Sequence, residues 1–235
     1  MVVAKEVIYR ALGEGRNKLL EHEAYEFLKA YELPVPKFGL ATTKDEAADI
    51  AERIGYPVVL KIVSQDIVHK SDVGGVKVNI SSEQEVRKWF EVIMGNVKSR
   101  VPTARISGIL IQEMVPQDIE VIVGATRDAV FGPVVMFGLG GIFVEVLRDV
   151  SLRITPLTEY DAEEMLEEIK AARILQGYRG APPRDKKALV DIILKVGKLM
   201  EEIPEVTDVD LNPIMVFPEG AGAKIADARI LIKRV

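Results

Sequence analysis

The chain has 235 residues, 48% hydrophobic and 29% charged, with a formal net charge of −5 at pH 7 and no cysteine. This composition excludes a disordered chain, and the lack of cysteine excludes disulfides, thiolate nucleophiles and cysteine-bound metals. Because Lys and Arg are scattered along an acidic chain, the broad positive field of a generic DNA- or RNA-binding protein is also excluded.

The first half of the chain combines helical and strand-like patterns. Apolar residues at helical spacing, bounded by prolines or by capping pairs such as Thr43 with Glu46, indicate amphipathic helices. These predicted helices cover residues 17–33, 44–54 and 83–97. Two β-branched or alternating runs predict strands joined by a polar loop, and they cover residues 57–63 and 76–80.

The second half is dominated by closely spaced strand-like runs, at 108–115, 119–126, 132–137 and 142–147. Their short connections favour antiparallel hairpins over crossover helices. Two more helices are predicted over 159–171 and 185–202, followed by a final strand pair over 206–217 and 223–232. The simplest architecture is an α+β fold of two packed lobes, which we divide into residues 1–112 and 113–235.

No segment has the properties of a membrane anchor or a signal peptide. The longest nearly apolar run, 130–144, is shorter than the roughly 18 residues that span a bilayer and is interrupted by glycines and a proline. The N-terminal residues reach charged positions almost at once and lack an apolar region. We therefore expect a cytoplasmic protein with no membrane partner.

Oxygen ligands in the final strand pair suggest a metal site. Asp210 and Asn212 are two residues apart and share one strand face. Mg²⁺ needs only one or two protein oxygens beside its waters and the phosphate oxygens of a nucleotide. Asp227 adds a second carboxylate if the two strands pair. A solvated polar strand face explains the same pattern without a metal.

Lys61 lies inside an apolar strand, where a lysine is seldom left without an anionic partner. A phosphate would serve as that partner, although an edge-strand lysine that reaches water is equally consistent with the pattern. Downstream, Gly74 and Gly75 would let backbone N–H groups approach phosphate oxygens, or would simply form a turn.

A second glycine cluster, residues 138–141, lies between two strand-like runs and close to Glu145. A hairpin turn explains it without any function, but flexibility there also suits a loop that covers a phosphate. Glu113 and Glu120 are two further carboxylates in strand-like runs, and each could simply face solvent.

His69 is the best candidate nucleophile. It lies in the polar loop between two predicted strands, whereas His22 falls within a predicted amphipathic helix. A neutral imidazole nitrogen attacks phosphoryl groups at neutral pH, and the phosphohistidine retains a high transfer potential. A histidine in a loop is nevertheless common without any catalytic role.

Taken together, three segments resemble one known family. The runs YPVVLKIVSQDIVHKSDVGGVKVNI, EVIVGATRDAVFGPVVMFGLGGIFVEVLRDVSLRITPL and DVDLNPIMVF with IADARI are similar to the β subunit of ADP-forming acetyl-CoA synthetases, which are common in archaea. The resemblance spans nearly the whole chain. It implies an ATP-grasp fold, in which two α+β lobes clamp a nucleotide.

The resemblance also implies roles for individual residues. Lys61 resembles the lysine that holds nucleotide phosphates, Gly74 and Gly75 belong to the phosphate-facing turn, and Asn212 and Asp227 are the expected Mg²⁺ ligands. The segment at the end of the first lobe is expected to line the adenine pocket, with Glu120 contacting the ribose. The residues expected at the adenine are Gln112, Glu113, Met114 and Val115.

His69 resembles the family's β-subunit histidine, which takes a phosphoryl group from a phosphohistidine on a CoA-binding α subunit and delivers it to ADP. The implied reaction converts acyl-CoA, ADP and phosphate to acid, ATP and CoA, with Mg²⁺ as cofactor. The implied assembly is an α₂β₂ hetero-oligomer, and the chain is expected to be inactive alone.

Two other functions remain open. A succinyl-CoA synthetase β subunit shares the GGVKV segment and the Asn-Pro tail, but it is expected to be longer and to lack the loop histidine. A non-catalytic nucleotide-binding module would be favoured only if no α-type subunit accompanied the chain.

Overall fold

A computed structural model describes residues 2–67, 69–141, 148–178 and 180–234. Its helices are α1 (Val2–Gly13), α2 (Glu21–Ala30), α3 (Lys44–Ile54), α4 (Glu83–Arg100), α5 (Glu159–Glu168), α6 (Ala172–Leu175) and α7 (Lys186–Glu202). Its strands are β1 (Phe38–Ala41), β2 (Val58–Ser64), β3 (Val76–Ile80), β4 (Ile106–Glu113), β5 (Ile119–Asp128), β6 (Gly132–Leu139), β7 (Val150–Ile154), β8 (Val206–Val216), β9 (Ala223–Ile225) and β10 (Ala228–Ile232).

The chain forms two compact units. The small unit comprises Leu20–His22 and Pro36–Val115, and the large unit comprises Met1–Leu19, Glu23–Val35 and Pro116–Val235. Most of the first 35 residues therefore lie in the large unit, and not with the rest of residues 1–112 as we divided the chain. The physical reason is backbone pairing within the large unit, where the Leu19 N–H donates to the Ile230 carbonyl at 3.0 Å.

The small unit is built on an antiparallel sheet with strand order β1-β4-β2-β3. Helices α3 and α4 pack against it and begin as predicted, with Thr43 and Ser82 accepting backbone N–H bonds at the helix starts. Buried apolar side chains such as Ile62, Phe90 and Ile109 fill the space between helices and sheet. Full burial of each contributes about 1.5–3 kcal/mol to folding.

The large unit contains a second antiparallel sheet, with strand order β10-β8-β5-β6-β7 and β9 paired to β8. Helices α5 and α7 pack against it. Side chains alternate along the strands, so that Val123 and Phe137 are fully buried while Gly124 and Met136 line a cavity. The predicted antiparallel pairing of the last two strands is confirmed, because β8 and β10 are neighbours.

Several element predictions differ from the structure. The predicted helix 17–33 is shorter, as α2 begins only at Glu21, and the predicted helix 159–171 ends at Glu168 because Ile169 is extended. Helix α1 and strands β1 and β7 were not predicted, and the predicted strand 142–147 lies outside the described residues. Among the described residues, no helix is both long and apolar enough to cross a membrane.

Candidate functional site

Lys61 is buried on β2 and has a protein counter-charge that the sequence did not reveal. Its Nζ lies 2.6 Å from Oε1 of Glu21, the first residue of α2, and Nζ of Lys70 lies 2.5 Å from the other carboxylate oxygen. Glu21 is 7% exposed and Lys61 8% exposed. The small unit therefore holds a Lys61–Glu21–Lys70 cluster in which one buried carboxylate contacts two ammonium groups.

The electrostatics of this cluster are governed by Glu21. Burial alone would raise the pKa of its carboxyl group, but the ammonium groups of Lys61 and Lys70 outweigh burial and hold that pKa below its ordinary value. Glu21 therefore carries a negative charge at neutral pH. Lys61 and Lys70 bring two ammonium groups together at this point of the small unit, and ammonium N–H groups are the kind of donor that binds phosphate oxygens.

Gly74 and Gly75 are required by the packing of the loop that follows β2. Gly74 has a φ of +64°, and a Cβ on Gly75 would lie 2.5 Å from Cγ2 of Ile62 and 2.9 Å from the Lys70 carbonyl oxygen. Both N–H groups donate within the loop, to the carbonyls of Ser71 and Lys70. In this conformation both N–H groups therefore hold the loop together, and their role at a phosphate stays a prediction.

His69 lies exposed in this loop, and the loop is anchored on both sides of it. Arg105 binds Asp66 through three N–H groups and, by these hydrogen bonds, lowers the pKa of Asp66 to about 2. On the other side, Lys70 is tied to Glu21, and the Gly75 N–H donates to the Lys70 carbonyl. His69 is therefore exposed to solvent in a loop that is held in place on both sides of it.

The residues expected at the adenine lie at the end of β4. Gln112 is 2% exposed, and the carboxylate of Glu113 accepts the Lys37 backbone N–H at 3.0 Å. The Met114 N–H donates to the Pro57 carbonyl at 3.1 Å. The Val115 N–H makes no hydrogen bond to any described residue. This strand end thus has a fixed backbone and one available donor.

Glu120 is the second residue of β5 in the large unit, and it lies beside the second glycine cluster. Its carbonyl accepts the Gly140 N–H at 2.7 Å, and a Cβ on Gly140 would lie 2.9 Å from the Glu120 Cβ. Gly138 lies in β6, which ends at Leu139, and the strand 142–147 with which a hairpin was predicted lies outside the described residues. Glu145 lies outside the described residues.

Asn212 and Asp227 are brought together by the pairing of the last strands. The Asn212 N–H donates to the Asp227 carbonyl at 3.3 Å, and Asp227 Oδ1 accepts the Ala228 N–H at 2.8 Å. Asp210 lies two residues before Asn212, and its side chain reaches solvent. Loss of hydration raises the pKa of Asp210, the Arg229 guanidinium group opposes this rise, and the Asp227 carboxylate adds to it. One amide and two carboxylates therefore lie close together on one edge.

The oxygens of this amide and these carboxylates are suitable ligands for Mg²⁺. Hard oxygen ligands suit it, and it needs only one or two protein carboxylates beside water and phosphate. In the parts of the chain that the structure describes, no three His, Asp or Glu side chains form a larger cluster suited to a metal. The site is thus appropriate for a cation shared with a bound phosphate, and not for a metal held by protein ligands alone.

A cavity of about 520 Å³ opens on the same face of the large sheet. This volume lies within the range of small-molecule sites, about 300–1,000 Å³. Its floor combines the polar groups of β8 and β10 with small and apolar residues of β5 and β6. The lining includes Gly124, Met136, Asp208, Asp210, Asn212 and Arg229.

A larger groove of about 810 Å³ lies along α5 and α7 but does not suit a nucleotide. Its lining is dominated by glutamates, among them Glu159, Glu163 and Glu167. The concentrated negative charge would repel phosphates. We therefore assign the functional site to the residues described above.

Three comparisons relate this geometry to known proteins. Residues 10–232 match the model of the ATP-grasp domain. The chain is 51% identical over 229 residues to the β subunit of acetate–CoA ligase [ADP-forming] I from Pyrococcus furiosus, covering 97% of each chain. It is 50% identical to acetate–CoA ligase [ADP-forming] I from Archaeoglobus fulgidus, covering 97% of this chain but 33% of that protein.

Among solved structures, the chain is similar to an acetyl-coenzyme A synthetase 1 from Ca. Korarchaeum cryptofilum. The TM-score is 0.87 at 46% identity, with 98% of this chain and 100% of that chain covered. That protein was crystallised with coenzyme A and Mg-AMPPCP, and its phosphohistidine segment points towards the nucleotide-binding site.

Proposed function

Because the chain belongs to the ATP-grasp family and, within it, to the β subunits of ADP-forming acetate–CoA ligases, we propose that it is the nucleotide-handling subunit of an ADP-forming acyl-CoA synthetase. The complete reaction converts acyl-CoA, ADP and phosphate to acid, ATP and CoA. The structural observation that carries the proposal is the adjacency of Asn212 and Asp227 beside a cavity of suitable size.

In the proposed site, Asn212 and Asp227 hold Mg²⁺ against the nucleotide phosphates. A bound Mg²⁺ supplies charge neutralisation and orients the phosphate oxygens. In the small unit, Lys61 provides a buried positive charge for phosphate, and Glu21 positions it from 2.6 Å away. Gly74 and Gly75 contribute by shaping the loop between Lys70 and β3.

The base and sugar of the nucleotide are proposed to contact the residues at the end of β4 and the start of β5. The Val115 N–H is the available backbone donor for the adenine edge, and Gln112, Glu113 and Met114 hold the strand end in place. Glu120, exposed at the start of β5, is proposed to accept from the ribose hydroxyls.

His69 is proposed to carry the phosphoryl group. A lone pair of its neutral imidazole attacks the phosphorus of a phosphohistidine on the α subunit. The new N–P bond forms as the old one breaks, and the partner imidazole leaves with its electron pair. A terminal phosphate oxygen of ADP then attacks phosphorus, which releases neutral His69 and forms ATP.

The partner is a CoA-binding α chain. In the Pyrococcus relative the β subunit is a separate chain, whereas in the Archaeoglobus relative the matching region is one third of a longer polypeptide. We extend the proposal to an α₂β₂ assembly in the cytoplasm.

Reconstitution tests the proposal. The isolated chain should bind ADP with Mg²⁺, measured by calorimetry, but form no ATP from acyl-CoA, ADP and phosphate. Addition of a co-expressed α-type subunit should restore ATP formation. ATP synthesis by the rigorously purified single chain, or none by the reconstituted pair across a panel of acyl-CoA esters, would contradict it.

A further inference from the structure

Arg229 places a positive charge next to the Asp210–Asn212 edge, and none of the functions described above uses it. It lies on β10, directly across from Asp210 on β8 in the antiparallel register. Both residues line the 520 Å³ cavity together with Asn212. Arg229 is also two residues beyond Asp227, which immediately precedes β10.

Within residues 2–67, 69–141, 148–178 and 180–234 the guanidinium group of Arg229 makes no hydrogen bond and no ion pair, and its side chain is exposed to the cavity and solvent. It interacts electrostatically with the carboxylate of Asp210 on the facing strand. Two other arginines of the large unit are hydrogen-bonded or ion-paired. Arg127 donates to the carbonyls of Val206 and Ile203, and Arg184 pairs with Asp118 at 3.1 Å.

The acidic residues around Arg229 disfavour the binding of a phosphoryl group unless positive charge offsets them. Asp208, Asp210 and Asp227 make this side of the sheet acidic, and a phosphate approaching it would be repelled. One divalent cation offsets part of that repulsion. A guanidinium group adds a second positive charge together with planar N–H donors, which bind phosphate oxygens in a bidentate manner.

We propose that Arg229 forms a phosphoryl-binding subsite in the large unit, where it contacts the oxygens of the phosphoryl group during transfer to ADP. This inference rests on the proposed function, and it assigns Arg229 as the residue that stabilises the phosphoryl group during its transfer to ADP. Because the contact is made to the transferred group and not to ADP, Arg229 affects turnover more than ADP binding.

The test compares Arg229→Gln and Arg229→Lys with Arg173→Gln, an exposed arginine of α6 that does not line the cavity. In the reconstituted enzyme, Arg229→Gln should lower kcat about 10²–10³-fold, with the KM for ADP within about threefold of wild type. Arg229→Lys should lower kcat about tenfold, because an ammonium group does not provide the bidentate contact. Arg173→Gln should behave as wild type.

A binding measurement on the isolated chain tests the subsite independently of the α subunit. Beryllium fluoride, a phosphoryl mimic, should tighten the binding of ADP and Mg²⁺ to wild type by about tenfold or more, and this gain should disappear in Arg229→Gln. Affinity for ADP and Mg²⁺ without beryllium fluoride should be unchanged.

A kcat for Arg229→Gln within about threefold of wild type, or an equal beryllium fluoride effect in both proteins, would overturn the subsite. If Arg229→Gln does not fold, the kcat of Arg229→Lys tests the proposal instead. A wild-type kcat for Arg229→Lys would overturn it. Failure of the proposed function is recognised separately, because wild-type reconstituted enzyme would then form no ATP.

Discussion

Replacing Glu21 by glutamine removes the negative charge that two lysines of the small unit share. The carboxylate oxygens of Glu21 lie 2.6 Å from Nζ of Lys61 and 2.5 Å from Nζ of Lys70. At an effective dielectric constant of about 20, one such contact carries about 6 kcal/mol of Coulomb energy, much of which desolvation offsets. Removing one partner of a buried pair costs about 3–5 kcal/mol, because the remaining charge loses its counter-charge.

The chain provides a probe and a matched control for this prediction. Trp89, the single tryptophan, lies on α4 of the small unit, so its fluorescence reports unfolding of that unit in guanidinium chloride. Glu91→Gln breaks a Lys44–Glu91 pair that also has a 2.6 Å separation but whose side chains are 49% and 63% exposed. Its cost should be small, because water and salt screen an exposed ion pair.

Glu21→Gln should thus lower the free energy of unfolding several times more than Glu91→Gln. The double variant Glu21→Gln/Lys61→Met should recover part of the loss, since the buried ammonium group of Lys61 is then removed together with the carboxylate that it contacts. Equal and small losses of unfolding free energy in Glu21→Gln and Glu91→Gln would show that burial of the cluster does not determine how much it stabilises the protein. That result would refute the reasoning.

Three further outcomes follow from the same geometry. The lysines hold the pKa of Glu21 below its ordinary value of 4.5, so the stabilisation that this carboxylate provides is complete above pH 4.5 and is lost as the pH falls through the lowered pKa. Acid unfolding followed by Trp89 fluorescence should therefore show a weaker dependence of stability on pH in Glu21→Gln than in wild type. Gly75→Ala should destabilise the small unit by about 1–3 kcal/mol, because the added Cβ would clash with Ile62. Gly95→Ala is the control and should be neutral or stabilising, because a Cβ added there has no atom within 4 Å. Equal melting temperatures for the two variants would contradict the packing argument. Asp227→Ala should slow ATP formation at least about 10²-fold at saturating Mg²⁺ with little change in melting temperature, and unchanged turnover would place the metal elsewhere.

Local signals in the sequence predicted the elements that local chemistry determines. Helix α3 begins at the Thr43 capping box, and the alternation around Asp210 and Asn212 predicted the strand face that β8 presents. Helix α1 also carries a usable signal, since Ala4, Val7, Ile8 and Ala11 are buried at helical spacing, but no helix was predicted there.

Long-range contacts account for what the sequence did not predict. An acidic residue in the first turn of a helix is ordinary, so nothing in the sequence distinguishes Glu21 as the buried partner of Lys61, 40 residues away. The same holds for Arg105, whose bonds to Asp66 fix one side of the His69 loop. Ion pairs between distant residues therefore anchor that loop, and the local sequence does not reveal them.

The most direct test of the central claim is phosphorylation of His69 in the reconstituted enzyme. Incubation with γ-³²P-ATP and Mg²⁺ should label the β chain with an acid-labile, base-stable phosphate, and His69→Ala should abolish the label while leaving the affinity for ADP nearly unchanged. His22→Ala, which removes the only other histidine, serves as the control and should label as wild type. Equal labelling of wild type and His69→Ala would contradict the account, because the phosphoryl carrier would then be another residue.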